Sequence, residues 1–200
     1  MSHRQTAPRA AARRANRRDP SGPWVIDTRD VGRRPGSMRR YQRTVPAPAG
    51  FGVESVIGVS PGAEVCLDLR VESVIEGVLV TGTATAEVTG ECSRCLDPLS
   101  DTLTVHLTEL YAYPDSTTDA STEEGEVSRV VDDLVDTEPV VRDAIVLALP
   151  QVPLCAPDCA GLCPGCGAKR AGLGAGHGHE TMDPRWAALL RRGDTEEENE

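Results

Sequence analysis

The chain has 200 residues, a formal net charge of −10 and 39% hydrophobic residues, but only one Phe, two Trp and three Tyr. That suffices for one domain of roughly 100–150 residues plus tails, with a core of Val, Leu, Ile and Ala. It excludes a helical membrane protein, because no run of about 18 apolar residues occurs, and the N-terminus carries no apolar segment with a small-residue cleavage site. The expected compartment is the cytoplasm, where seven cysteines point to metal or redox chemistry rather than structural disulfides.

The charge is uneven. Residues 1–43 hold twelve Arg against Asp19, Asp27 and Asp30, a balance of +9, so residues 44–200 sum to −19. Residues 1–23, rich in Arg and Ala without an apolar period, read as a disordered basic arm. Residues 24–192 then form the domain, opened by a short strand from Trp24 to Ile26 and a Gly- and Pro-punctuated basic segment. In that segment Arg33, Arg34, Arg39, Arg40 and Arg43 surround Tyr41, and Arg interleaved with an aromatic ring is a pattern suited to RNA. The competing reading pairs these arginines with the acidic insertion at residues 114–128.

Beyond Val45 to Gly50 the composition turns acidic and β-like. Val65, Leu67, Leu69 and Val71 alternate with Glu64, Cys66, Asp68 and Arg70, as a half-buried strand requires, which leaves Cys66 on the polar face. Further strands are expected at about 74–80, 83–88 and 102–110, giving a mainly antiparallel sheet in an α+β fold. Residues 114–128 are small, polar and acidic and read as a mobile acidic insertion. One helix follows, with Thr137 as expected N-cap, Glu138 and Pro139 in its first turn, Val141, Ala144, Ile145, Ala148 and Leu149 on one face, and Pro150 as stop. A second, shorter helix is expected from Asp183, anchored by Trp186, Leu189 and Leu190, before a disordered acidic tail at 193–200.

Six cysteines carry the chemical signal. Cys92 and Cys95 form one C-x-x-C pair, Cys163 and Cys166 a second, and Cys155 and Cys159 lie between. A C-x-x-C turn aims two thiolates at one ion, and two such pairs make a four-thiolate zinc site of ribbon type. One structural zinc ion per chain is expected. The first choice of ligands is Cys92, Cys95, Cys163 and Cys166, which would pin a zinc-ribbon-like C-terminal segment onto the sheet. A local set, Cys155, Cys159, Cys163 and Cys166, and a mixed set, Cys92, Cys95, Cys155 and Cys159, stay open. His177 and His179 are further candidate ligands in a Gly-rich stretch. A thiol-disulfide oxidoreductase is the runner-up, but neither C-x-x-C opens a helix within a βαβ pattern. No phosphate loop, nucleophile elbow or His-Glu-x-x-His helix occurs, so no enzyme activity is expected.

The strings "GECSRCL", "DTEPVVRDAIVLALPQVPLC" and "DCAGLCPGCG" resemble the YceD family over about residues 24–192, and "RRPGSMRRYQRTVPAP" and "DPRWAALL" resemble its actinobacterial form. The resemblance implies a non-catalytic ribosome biogenesis factor that supports accumulation or processing of large-subunit ribosomal RNA. The family's gene often neighbours that of a small zinc-binding large-subunit ribosomal protein. Expected partners are large-subunit ribosomal RNA or its precursor, and a basic ribosomal protein of the large subunit that the acidic body would shield. A zinc-ribbon adaptor acting outside the ribosome is a third reading.

Overall fold

The computed structural model describes residues 21–179 except 54, 55, 115, 124 and 125. The basic arm up to residue 20, the helix expected from Asp183 and the acidic tail lie outside the described residues. Four long antiparallel strands make the body: β2 (Met38–Pro46), β5 (Glu64–Ser73), β6 (Gly77–Glu91) and β7 (Pro98–Ala112). They lie side by side in the order β2-β5-β6-β7, and the small hairpin of β3 (Gly52–Val53) and β4 (Ile57–Gly58) adds to β6 beyond the end of β5. A separate pair, β1 (Val25–Asp27) with β8 (Leu134–Asp136), ties the start of the domain to its later half.

One face of this sheet is buried. Val65, Leu67, Leu69 and Val71 of β5 meet Val78, Val80, Ala84, Ala86 and Val88 of β6 and Val105, Leu107 and Tyr111 of β7 in one apolar cluster. Helix α2 (Glu138–Ala148) covers the cluster through Val141 and Ile145. Trp24 and Phe51, with ring centroids 5.4 Å apart, fill the space that the shortage of other aromatics leaves. The opposite face of β5, β6 and β7 is polar, and the exposed Cys66 Sγ lies 3.8 Å from Thr44 Oγ1 there.

Three local expectations change in the structure. The strands expected at 74–80 and 83–88 are one continuous strand, β6, interrupted in sequence by Gly82. A Cβ on Gly82 would stand 2.1 Å from the Asp68 carbonyl oxygen, so close approach of β5 explains this mid-strand glycine. The basic segment is also a strand: β2 pairs with β5 from Met38↔Glu72 to Pro46↔Glu64. Within 114–128, expected as a mobile acidic insertion, α1 (Thr117–Ser121) forms, with Ser116 Oγ accepting from the Asp119 N–H at 3.1 Å and Glu76 accepting from the Thr118 N–H at 3.0 Å.

The start of α2 also differs. Thr137 precedes it, but its hydroxyl donates to the Trp24 carbonyl at 2.8 Å, and Asp136 Oδ1 accepts the Glu138 N–H instead at 3.1 Å. The buried Thr137 therefore joins the helix to β1, while Asp136 does the capping. No helix among the described residues is long and apolar enough to cross a membrane.

Candidate metal centre

The turn joining β6 to β7 is a cysteine loop. Glu91 and Pro98 close it as the last pair of the ladder. Inside, the Cys92 N–H donates to the Asp97 carbonyl at 2.8 Å and the Leu96 N–H donates to the Cys92 carbonyl at 2.9 Å. This winding leaves Leu96 left-handed at φ 60° and turns both cysteines inward.

The chain leaving α2 at Pro150 comes back to that loop. The Ser93 N–H donates to the Pro153 carbonyl at 2.8 Å, and Arg94 Nη1 donates to the Cys159 carbonyl at 3.0 Å. These bonds bring Cys155 and Cys159 over the first pair. Cys92 Sγ lies 3.8 Å from Cys159 Sγ, Cys95 Sγ lies 3.6 Å from Cys155 Sγ, and all four sulfurs are within 4.8 Å of one another. Zinc–sulfur bonds of about 2.3 Å in a tetrahedron separate sulfurs by roughly 3.8 Å, so the donor set fits such an ion. All are free thiols, too far apart for disulfide bonds.

Electrostatics point to the same need. Backbone N–H groups, Cys155's foremost and then those of Arg94 and Cys95, hold the Cys92 thiol down at about 6 against burial. For Cys95 the Asp97 N–H favours the thiolate, but burial and the Cys92, Cys155 and Cys159 sulfurs outweigh it and push the thiol up to about 12. Cys155 is likewise raised, first by Cys159. Four sulfurs at this spacing resist carrying charge together, and a divalent cation removes that conflict.

The first-choice set, Cys92, Cys95, Cys163 and Cys166, is not the one brought together. The return path delivers Cys155 and Cys159 to the first pair, whereas Cys163 and Cys166 lie in a second group with His177 and His179. Spacing alone cannot separate these outcomes, because C-x-x-x-C at Cys155 and Cys159 and C-x-x-C at Cys163 and Cys166 are both ligand spacings. The second loop leans on the first: the Leu162 N–H donates to the Arg94 carbonyl at 3.1 Å, and Lys169 Nζ pairs with Asp97. The Lys169 ammonium, with help from the Cys95 thiol, holds Asp97 below the usual carboxylate range, and Asp97 in turn raises Lys169. At Cys163 the N–H groups of Cys166 and then Gly165, with His177, lower the thiol to about 6.

All but one of the basic candidates bond within the molecule. Arg33 pairs with Asp133 at 3.1 Å and lies over the Tyr113 ring, and Arg40 pairs with Asp68 at 3.4 Å. Arg39 donates to the Asp30 carbonyl at 3.3 Å and Arg43 to the Val25 carbonyl at 2.9 Å. Tyr41 packs against the core, with its hydroxyl donating to the Asp27 carbonyl at 3.2 Å. Arg34 is exposed. The partners of these side chains belong to the body itself rather than to residues 114–128.

Over residues 80–191 the chain matches the family described as "Large ribosomal RNA subunit accumulation protein YceD". Uncharacterized proteins of Mycobacterium tuberculosis and Mycobacterium bovis are each 54% identical over 170 residues, 85% of this chain and 81% of theirs. One from Mycobacterium leprae is 46% identical over 167 residues, 84% of this chain and 76% of its own. No solved structure matches. The matched span begins within β6 and includes both cysteine groups, and the chain belongs to the YceD family.

Proposed function

We propose that this chain is a non-catalytic, cytoplasmic factor of large-subunit biogenesis, supporting accumulation or processing of large-subunit ribosomal RNA. In this reading a zinc ion held by Cys92, Cys95, Cys155 and Cys159 staples the segment after α2 to the end of the β6–β7 hairpin. The single observation that carries it is the four-cysteine set, which fits a closed tetrahedral ion, within a chain of the YceD family. A set of four thiolates leaves an ion no open position for substrate, which favours structure over catalysis. A thiol oxidoreductase draws less support, because Cys92 and Cys95 lie in a strand-to-strand turn rather than at a helix N-terminus.

The proposed direct partner is a basic ribosomal protein of the large subunit. Residues 44–200 carry −19, and four of the five arginines suited to phosphate, all but Arg34, bond to carbonyls and carboxylates of the body. Depleting the protein in cells is expected to lower the ratio of large- to small-subunit ribosomal RNA, with precursor accumulating. An unchanged ratio overturns the reading. For the partner, Arg33→Gln/Arg39→Gln/Arg40→Gln is expected to leave association with large-subunit proteins intact. Steeply salt-dependent binding to ribosomal RNA that this variant abolishes would mean the nucleic acid is contacted directly. Removing residues 1–43 is unsuitable for that test, since it takes away β1 and most of β2.

A further inference from the structure

We propose that Cys163, Cys166, His177 and His179 form a second metal site, which takes its own zinc-class divalent ion beside the one in the four-cysteine set. Three features lead there. The first is the repetition of a loop. The Cys163 N–H donates to the Ala168 carbonyl at 2.8 Å and the Gly167 N–H to the Cys163 carbonyl at 2.7 Å, and Leu162 and Lys169 close the turn as an antiparallel bridge. Residue for residue this repeats the Cys92–Asp97 loop, including the left-handed fifth position, Gly167 at φ 70°. A backbone that presents two sulfurs to one ion therefore occurs twice in the chain.

The second feature is how the remaining donors arrive. Residues 170–176 fold back through a short 3-10 turn (Arg170–Gly172) and a bend where the His177 N–H donates to the Gly174 carbonyl at 2.9 Å. His177 Nε2 then lies 3.4 Å from Cys163 Sγ and 3.6 Å from Cys166 Sγ, and His179 Nε2 lies 3.0 Å from His177 Nε2. A tetrahedral ion with bonds of about 2.3 Å to sulfur and 2.0–2.1 Å to nitrogen sets S···N near roughly 3.5 Å and N···N near roughly 3.3 Å. The two rings meet edge to face at 82°, so both Nε2 atoms reach the same point without stacking.

The third feature is Gly165, which lies between the two cysteines. A Cβ there would stand 2.6 Å from the His179 ring, so only a glycine lets the imidazole lie over the loop. Two thiols and two imidazoles select a borderline ion such as zinc over magnesium or calcium. Cys166, His177 and His179 are exposed, whereas the first set contains two buried cysteines. The second ion accordingly exchanges faster.

The test counts metal on the full-length chain after saturation with zinc and desalting, then follows its release to a coloured chelator. Two equivalents are expected, released in a fast and a slow phase. His177→Ala/His179→Ala should bind one equivalent and lose only the fast phase, with the circular dichroism of the sheet unchanged, while His106→Ala, outside both groups, keeps two. Gly165→Ala, which leaves every ligand in place, should weaken the fast-phase ion by about 10–100-fold. A single equivalent that survives the double His substitution overturns the inference, as do two equivalents that survive it, or none in the unaltered chain. A single equivalent lost in the double variant upholds this site and instead overturns the four-cysteine ion.

Discussion

The loops at Cys92–Asp97 and Cys163–Ala168 follow the same hydrogen-bonded path, yet their surroundings differ. The first is the closed end of two 15-residue strands and is roofed by residues 153–159, so Cys92 has no exposure. The second closes on a single antiparallel bridge and is approached by a Gly-rich return, so Cys163 is buried but Cys166 and both histidines stay exposed. A six-residue loop thus sets ligand direction, whereas the elements around it set burial. Burial in turn decides how much of the fold depends on the ion, because enclosed ligands left without it face one another in a low dielectric.

The largest expected difference between the loops is in stability. Cys92→Ala should remove one metal equivalent, expose residues 153–159 to hydrogen exchange and lower Tm by roughly 10 °C or more, whereas Cys163→Ala should lower it by less than half as much. Equal losses in a thermal scan would break the comparison. A second expectation concerns the metal-free chain. The Cys92 thiol is lowered to about 6 from an ordinary value of about 8.5, so its contribution is complete above about 8.5 and is lost as pH falls through 6. Cys95, raised to about 12, contributes below about 8.5 and loses that as pH rises toward 12. Urea unfolding of the chelated protein should therefore show a maximum near pH 8.5, and a monotonic profile would show that the sulfurs do not interact as placed.

Exchanging the fifth position sharpens the comparison further. Gly167→Leu puts a side chain in left-handed backbone and should cost roughly 1–2 kcal/mol locally. Leu96→Gly relieves the same strain at an exposed site but frees the unfolded chain, for a net gain of about 0.5–1 kcal/mol by denaturant titration. The smallest effect is expected for Lys169→Ala. Losing its pairing with Asp97 should speed amide exchange at Leu162 and Arg170 and leave the Cys92 amide protected. Faster exchange at both would mean that the loops open as one unit.

How much of this was legible in the sequence depends on where the determining contacts lie. Strand β5 could be read because its apolar residues alternate without a break, and α2 because Val141 and Ile145 recur at helical spacing. Strand β2 escaped notice because Arg39 and Arg43 occupy the positions beside Tyr41 and Val45, where apolar residues would have shown the period. Helix α2 was recognisable, but not that Asp136 caps it, since Thr137's hydroxyl is drawn to Trp24 far away in the chain. The six cysteines were identifiable as ligand candidates, yet their partition was not. It follows from the Ser93–Pro153 and Arg94–Cys159 hydrogen bonds, which exist only after the chain has returned to the sheet.

The order of the four cysteines along the chain has a temporal meaning. Synthesis proceeds from the N-terminus at about 5–20 residues per second, and roughly sixty residues separate Cys95 from Cys159, so the second half of the site emerges about 3–12 s after the first. Strand β8 and helix α2 are made within that interval, so the segments that form the β1–β8 pair are available before the four-cysteine set is complete. A chain truncated in translation before Cys155 keeps the sheet's strands but never assembles a full donor set. Retention of an ion at this site thus distinguishes a nearly finished polypeptide from an interrupted one.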